Sequence, residues 1–306
     1  EAHGYRPNVR ARSLATGRAM AIGHVIPLSA RHEMMNPVFS DFVAGAGEVY
    51  SAHGYDMLLT IVPDELQEQT YRELRTKGSV DGLIVHAPKL AEQRIHLLNE
   101  IGIPYVVHGR ASDSDEPYCW VDMNNTHAFR RATDLLLDLG HRRIALVNGL
   151  ADMDFAIRRQ AGFEEAFVAR GLQADPALIA SEEMTERFGH DAARSFLALS
   201  DPPSAFLVSS IIAALGVRRA IEEAGFRLGR DISVVTHDDD LSYLQNRAEV
   251  PVFTATRSSV RDAGRRAAEM LIEIVENPAA GIHQTLLEAE LILGQSTGPR
   301  LQSAAE

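Results

Sequence analysis

Cysteine occurs once in the 306 residues, as Cys119, so the chain can build neither an internal disulfide nor a thiolate metal cluster. Beside Trp120, the only tryptophan, that thiol reads as a small core residue rather than a reactive one. No apolar run approaches the roughly 20 residues that span a bilayer, and the opening residues carry no apolar signal core. These absences point to a soluble, cytoplasmic chain with no membrane partner. Low-complexity tracts and short repeats are missing as well, which excludes a solenoid. The phosphate-cradling pattern GxxxxGK[ST] is not found, so nucleotide hydrolysis lacks its usual loop.

Three tempting motifs fail on inspection. Gly45 to Gly47 begin like a dinucleotide fingerprint, but Tyr50 takes the third glycine position and the stretch lies inside a helical pattern. His32 and Glu33 start a zinc-protease helix, yet Asn36 cannot supply its second imidazole. Gly294 to Gly298 match a nucleophile elbow with no helix, Asp or His following it.

The formal charge of −12 rules out attraction of nucleic acid by the whole surface, so any DNA contact has to be local. Acidic residues are absent between Ala2 and His32, where Arg6, Arg10, Arg12, Arg18 and Arg31 fall. That segment is either a solvated basic terminus or such a local contact.

With 45% hydrophobic and 24% charged residues the chain can bury a large core. Short apolar runs at 19–28, 56–62, 81–87 and 104–109 alternate with helical patterns, the first an apolar stripe from Val38 to Tyr50, then weaker ones at 65–77 and 91–101. The alternation restarts with helices at 126–139, 155–170 and 211–224 and strands at 143–148, near Leu178, at 204–209 and at 232–237. A strand at 252–256, a helix at 260–276 and one strand-like stretch at 286–293 follow. The pattern predicts an α/β protein of two doubly wound parallel-sheet lobes, joined by crossover strands. Residues 1–18 form an arm, 19–117 with 254–280 the first lobe, and 118–253 with 281–300 the second, the acidic stretch 113–117 being the first crossover.

His237, Asp238, Asp239 and Asp240 end a predicted parallel strand, where doubly wound folds gather ligands. A metal site, a catalytic carboxylate pair, acceptors for a hydroxylated ligand and a solvated, helix-capping turn all fit that run.

The run from Tyr5 to Arg18 resembles the hinge of the lac repressor family, with Tyr5, Pro7, Asn8, Ala11, Arg12, Ser13 and Leu14 at matching spacing. Similar segments continue through 36–39, 52–56, 80–84, 102–104, 139–145, 159–163, 231–239 and 254–257, so the resemblance spans essentially the whole chain. It implies a periplasmic-binding-protein-like type I fold and the effector-binding, dimerising portion of a transcription regulator, whose DNA-binding helix-turn-helix would precede this hinge. Asn8, Ala11 and Leu14 would meet operator DNA, with Leu14 entering the minor groove. The effector, a mono- or disaccharide, would meet Val38, Phe39, Gly109 and Arg110 from the first lobe and Phe155, Arg159, Ser210 and Asp238 from the second. Arg and Asp suit adjacent hydroxyls, and Phe39 or Phe155 suits a pyranose face. Taken alone, Arg159 also reads as a solvated helix position and Phe39 as core.

The chain departs from the family at Ser210 and Ile211, where Asn and Asp are usual, at His237, and in extra residues at 30–35. A homodimer without cofactor, metal or catalytic residue is expected. The rivals are a periplasmic sugar-binding protein of a transporter and a doubly wound enzyme using Asp238 and Asp239.

Overall fold

The computed structural model describes residues 18–28, 36–90, 92–238, 240–246 and 249–301. The expected hinge contacts Asn8, Ala11 and Leu14, the 30–35 insertion and Asp239 lie outside the described residues. The chain divides into two compact units. One holds the described residues up to Val121 with Arg261–Thr285, the other Asp122–Val260 with those from Leu286 onward.

In the first unit β1 (Ala21–Pro27), α1 (Pro37–His53), β2 (Asp56–Val62), α2 (Gln67–Lys77), β3 (Gly82–His86), α3 (Gln93–Ile101), β4 (Tyr105–His108) and β5 (Cys119–Met123) follow one another. Asn36 caps α1 by accepting the Val38 N–H at 3.0 Å, and Pro37 opens the helix where its missing N–H costs nothing. With β11 (Gln284–Leu287) added from late in the chain, the sheet runs β11-β5-β4-β3-β1-β2, with β1 parallel to β2 and β3, and β4 parallel to β3 and β5. Covered on both faces, β3 is buried at every position and reads as the unbroken apolar run a central parallel strand requires. Leu83 and Val85 pack there with Leu98, Tyr71 and Val107.

The second unit runs α4 (Asn125–Asp138), β6 (Ile144–Asn148), α5 (Asp154–Val168), β7 (Ile179–Ser181), α6 (Glu186–Leu197), β8 (Ala205–Val208), α7 (Ile211–Glu223), β9 (Ser233–His237) and β10 (Thr254–Arg257). Helix α8 (Val260–Glu276) then leads to β11 (Gln284–Leu287) and β12 (Glu290–Ile292). Its sheet, β12-β10-β9-β8-β6-β7, is parallel except for the antiparallel β10–β12 pair. Phe129, Phe163, Phe167, Leu146 and Leu207 fill its core.

Four expectations need correction. Residues 254–260, read as first-lobe, belong to the second unit, because Thr254 registers with Val235 of β9 and Ala255 with Ile292 of β12. The stretch 118–121 belongs instead to the first unit, since Cys119 and Trp120 pair with Val106 and Val107, so the chain crosses after Val121 and not at 113–117. The strand-like stretch 286–293 is two strands in different sheets, broken between Leu287 and Glu290, and residues 281–285 fall in the first unit. Helix α6 escaped the periodic reading because it meets α7 through small residues, Gly189 against Ala213 and Gly216 against Glu186, and not through a Leu/Ile stripe.

The rejected glycine pair has a structural use. A Cβ at Gly45 would stand 2.0 Å from the Arg261 carbonyl oxygen, so the backbones of α1 and α8 touch there. Gly45→Ala is expected to destabilise the chain by about 1–3 kcal/mol through overpacking. Urea unfolding reads this as a lowered midpoint, and an unchanged midpoint contradicts it.

Candidate functional site

The carboxyl ends of the second unit's strands carry a connected polar group. Asn148 ends β6, Ser209 and Ser210 follow β8, and Asp238 follows β9. Over these ends α5 lays Arg159, which is 6% exposed. Its Nε donates to Asn125 Oδ1 at 2.8 Å and its Nη1 to the Ser209 carbonyl at 2.9 Å. Ser209 donates in turn to Asn148 Oδ1 at 2.7 Å, and Asn148 Nδ2 to the Ala156 carbonyl at 2.8 Å. The guanidinium carbon stands 4.7 Å from the Phe155 ring centre and 5.2 Å from that of Phe129, within cation–π range.

The remaining nitrogen, Nη2, stands 3.8 Å from Asp238 Oδ2, an ion pair too long for a direct hydrogen bond. Asp238 also accepts from the Ser258 hydroxyl and stands 3.2 Å from His237 Nε2. Its backbone is left-handed at φ +51°, a conformation that costs a non-glycine residue energy and that clusters at ligand sites. Burial pulls the Arg159 pKa down to about 10, partly countered by Asp238 and Asp122, so the group stays charged at neutral pH.

Four of the expected residues therefore meet in this unit. Phe155, Arg159 and Asp238 touch or face one another, and Ser210 adjoins the Ser209 carbonyl that Arg159 binds. The Ser210 hydroxyl is engaged as the α7 cap, accepting the Ile212 N–H at 3.1 Å. Arg159 is not a solvated helix position. Asn125, Asn148, Ser209 and Ser258 went unnoticed in the sequence, where short polar residues beside turns and caps carry no distinguishing pattern.

In the first unit Val38 and Phe39 lie half-buried in the opening turn of α1, while Gly109 and Arg110 follow β4. Phe39 is only partly buried, its ring centre 5.1 Å from His86, edge-on. Gly109 takes φ +110°, and a Cβ there would strike Pro88 at 2.8 Å, so glycine is required. Arg110 lies 4.9 Å over the Trp120 ring.

Three imidazoles that the sequence reading passed over gather here: His24 on β1, His86 ending β3 and His108 ending β4. His86 packs edge-on against Phe42 at 5.0 Å, and His108 stacks on Phe42 at 4.2 Å. The signal available was position, since His86 and His108 each close a predicted strand. Among the described residues no group of His, Cys, Asp and Glu is arranged to hold a metal ion. Burial lowers the His24 pKa to about 4 and carries that of His86 well below its ordinary value.

Two such units, each with polar groups at the carboxyl ends of a parallel sheet, define the class of periplasmic-binding-protein-like scaffolds. The periplasmic binding protein-like domain family matches residues 133–297. The chain is 41% identical over 296 residues to the HTH-type transcriptional regulator AglR of Rhizobium meliloti (strain 1021), covering 97% of this chain and 83% of the relative. A solved transcriptional regulator CelR–cellobiose complex matches with a TM-score of 0.81 and 25% identity over 96% of this chain and 92% of its own. The lac repressor dimer bound to operator and the anti-inducer ONPF matches with a TM-score of 0.81 and 25% identity over 96% and 100%. The chain belongs to the lac repressor (LacI) family of HTH-type transcriptional regulators.

Buried neutral histidines carry a pH signature. An imidazole held near pKa 4 when folded and near 6.5 when unfolded binds fewer protons in the native state, so its contribution is complete above about pH 6.5 and is lost as pH falls toward 4. His86 and His141, both lowered by burial, act in the same direction. Carboxylates enter only lower down. Between about pH 7 and about pH 5 the unfolding free energy is expected to fall by about 2 kcal/mol from His24 alone. Urea titrations at the two pH values measure it, and equal stability contradicts the buried neutral state.

Proposed function

We propose that the chain is the effector-binding part of a cytoplasmic, homodimeric transcription regulator that senses a neutral mono- or disaccharide and catalyses nothing. The observation that carries this reading is the Arg159–Asp238 pair: a buried guanidinium and a carboxylate 3.8 Å apart, flanked by the Phe155 ring. A fixed donor beside a fixed acceptor, under an apolar ring, suits vicinal hydroxyls on a sugar. Val38, Phe39, Gly109 and Arg110 of the first unit and Ser210 of the second complete the proposed contacts. The cellobiose in the CelR complex supports a saccharide as the class. The enzyme rival loses ground because the Asp238 carboxylate is held by Ser258 and Arg159.

The effector acts by favouring one of two states that differ in operator affinity, and a coupling of about 1–3 kcal/mol, roughly 5- to 150-fold, suffices. Operator binding changes effector affinity by the same factor.

A thermal-shift screen against cellobiose, maltose, sucrose, trehalose, glucose, galactose and ribose identifies the effector, since a ligand of the folded state raises the melting temperature. With that saccharide, Asp238→Asn and Arg159→Lys are each expected to weaken binding by at least about tenfold with little change in unfolding. Calorimetry showing wild-type affinity in both variants defeats the reading. In the full-length regulator, Leu14→Ala is expected to abolish operator binding in a gel-shift assay while leaving saccharide affinity unchanged. Intact operator binding removes the hinge assignment.

A further inference from the structure

Among the described residues three other than glycine hold a left-handed backbone: Asp238 in the polar group of the second unit, Ala87 in the turn after β3, and Met20 at φ +53°. That conformation costs a residue with a side chain energy, and it persists where the surroundings impose it. Met20 stands where the basic arm, ending at Arg18, passes into β1 at Ala21.

The group that imposes the turn is the carboxylate of Asp81, at the entrance to β3. The Ala19 N–H donates to one of its oxygens at 2.8 Å and the Met20 N–H to the other at 2.6 Å. Both donors precede β1, whose pairing with β2 starts at Ala21, so neither has a ladder partner and each would be costly to leave unmet. An ionised acceptor holds them more firmly than a carbonyl would. The carbonyls that follow are held too: the Asp56 N–H donates to that of Met20 and the Asp81 N–H to that of Ala21, both at 2.8 Å. The entrances of β2 and β3 thus grip residues 19–21 from either side, β1 lying between them in the sheet. By comparison, the ion pair of Arg18 with Glu276, the last residue of α8, is long at 3.9 Å and open to water, a kind that contributes little. Released to the extended region that its side chain prefers, Met20 would re-aim every residue before it.

We propose that Asp81 is a positioning residue for operator binding: its carboxylate holds Ala19 and Met20 in the turn that aims the basic arm at DNA. The inference rests on the regulator reading above and adds a residue at the amino end of β3, away from the polar groups at the carboxyl ends of the strands.

Hydrogen exchange of the labelled chain, read by NMR, tests the bracket itself. The Ala19 and Met20 amides are expected to be protected in the wild type and to lose protection in Asp81→Ala, while those of β3 stay protected. For DNA binding the probe is the duplex that the full-length regulator selects from a random-sequence pool. Asp81→Ala is expected to weaken that duplex by at least about tenfold, while the panel saccharide that raises the melting temperature binds within about twofold of wild type in the absence of DNA. Asparagine offers a single acceptor oxygen, so Asp81→Asn is expected to fall between. Met20→Val keeps the carboxylate but puts a β-branched residue in a left-handed turn, and it is expected to weaken the duplex as Asp81→Ala does. Met20→Gly, free in that conformation, is expected to stay within about threefold of wild type.

Unprotected Ala19 and Met20 amides in the wild type overturn the proposal. Equal losses of duplex and saccharide binding in Asp81→Ala, or a loss in Met20→Gly as large as in Met20→Val, also overturn it. If Leu14→Ala loses the duplex and Asp81→Ala keeps it, this inference alone fails. If the full-length regulator selects no duplex, the regulator reading falls with it.

Discussion

A guanidinium withdrawn from water has to be met by dipoles, charges or ring faces along its whole perimeter, and the second unit is organised around meeting that demand for Arg159. Asn125 at the start of α4, the carbonyl after β8 and two aromatic rings surround it. Only toward Asp238 is the contact slack, at 3.8 Å. A buried charge with one loose partner is poised to accept a further oxygen, and the strained backbone at Asp238 keeps the carboxylate where that oxygen would also reach it.

The two units carry different polar groups at the carboxyl ends of their sheets. The second holds a charged pair, whereas the first holds buried imidazoles in line with a phenol. The difference has a physical origin in what surrounds each site. Burial disfavours a cation at both places; aspartates partly offset it at Arg159, while Arg94 and neighbouring imidazoles add to it at His86.

Much of this was legible in the residues themselves. The apolar runs of β3 and β4 and the long amphipathic α8 announced the alternating architecture, because buried parallel strands need continuous apolar stretches. Asp238 was conspicuous as a carboxylate at a strand end, and Arg159 through the family-like segment that contains it. Strand β5 was not legible, since Asp122 interrupts a short run and its pairing with β4 is a long-range fact. The break between β11 and β12 was hidden for the same reason: Leu286 to Leu293 read as one stretch, and only the destinations of its halves differ. The His24–His86 contact joins residues far apart in the chain, and no local pattern encodes it. The use of Asn125 as the Arg159 acceptor depends on how α5 lies against α4, which no local pattern encodes.

The most direct test is a crystal structure of the chain with the saccharide that stabilises it. Arg159 Nη2 and an Asp238 carboxylate oxygen are predicted to lie within hydrogen-bond distance of neighbouring hydroxyls of one sugar ring, with Phe155 against its face. A saccharide bound elsewhere, with the Arg159–Asp238 pair unchanged and untouched, contradicts the account.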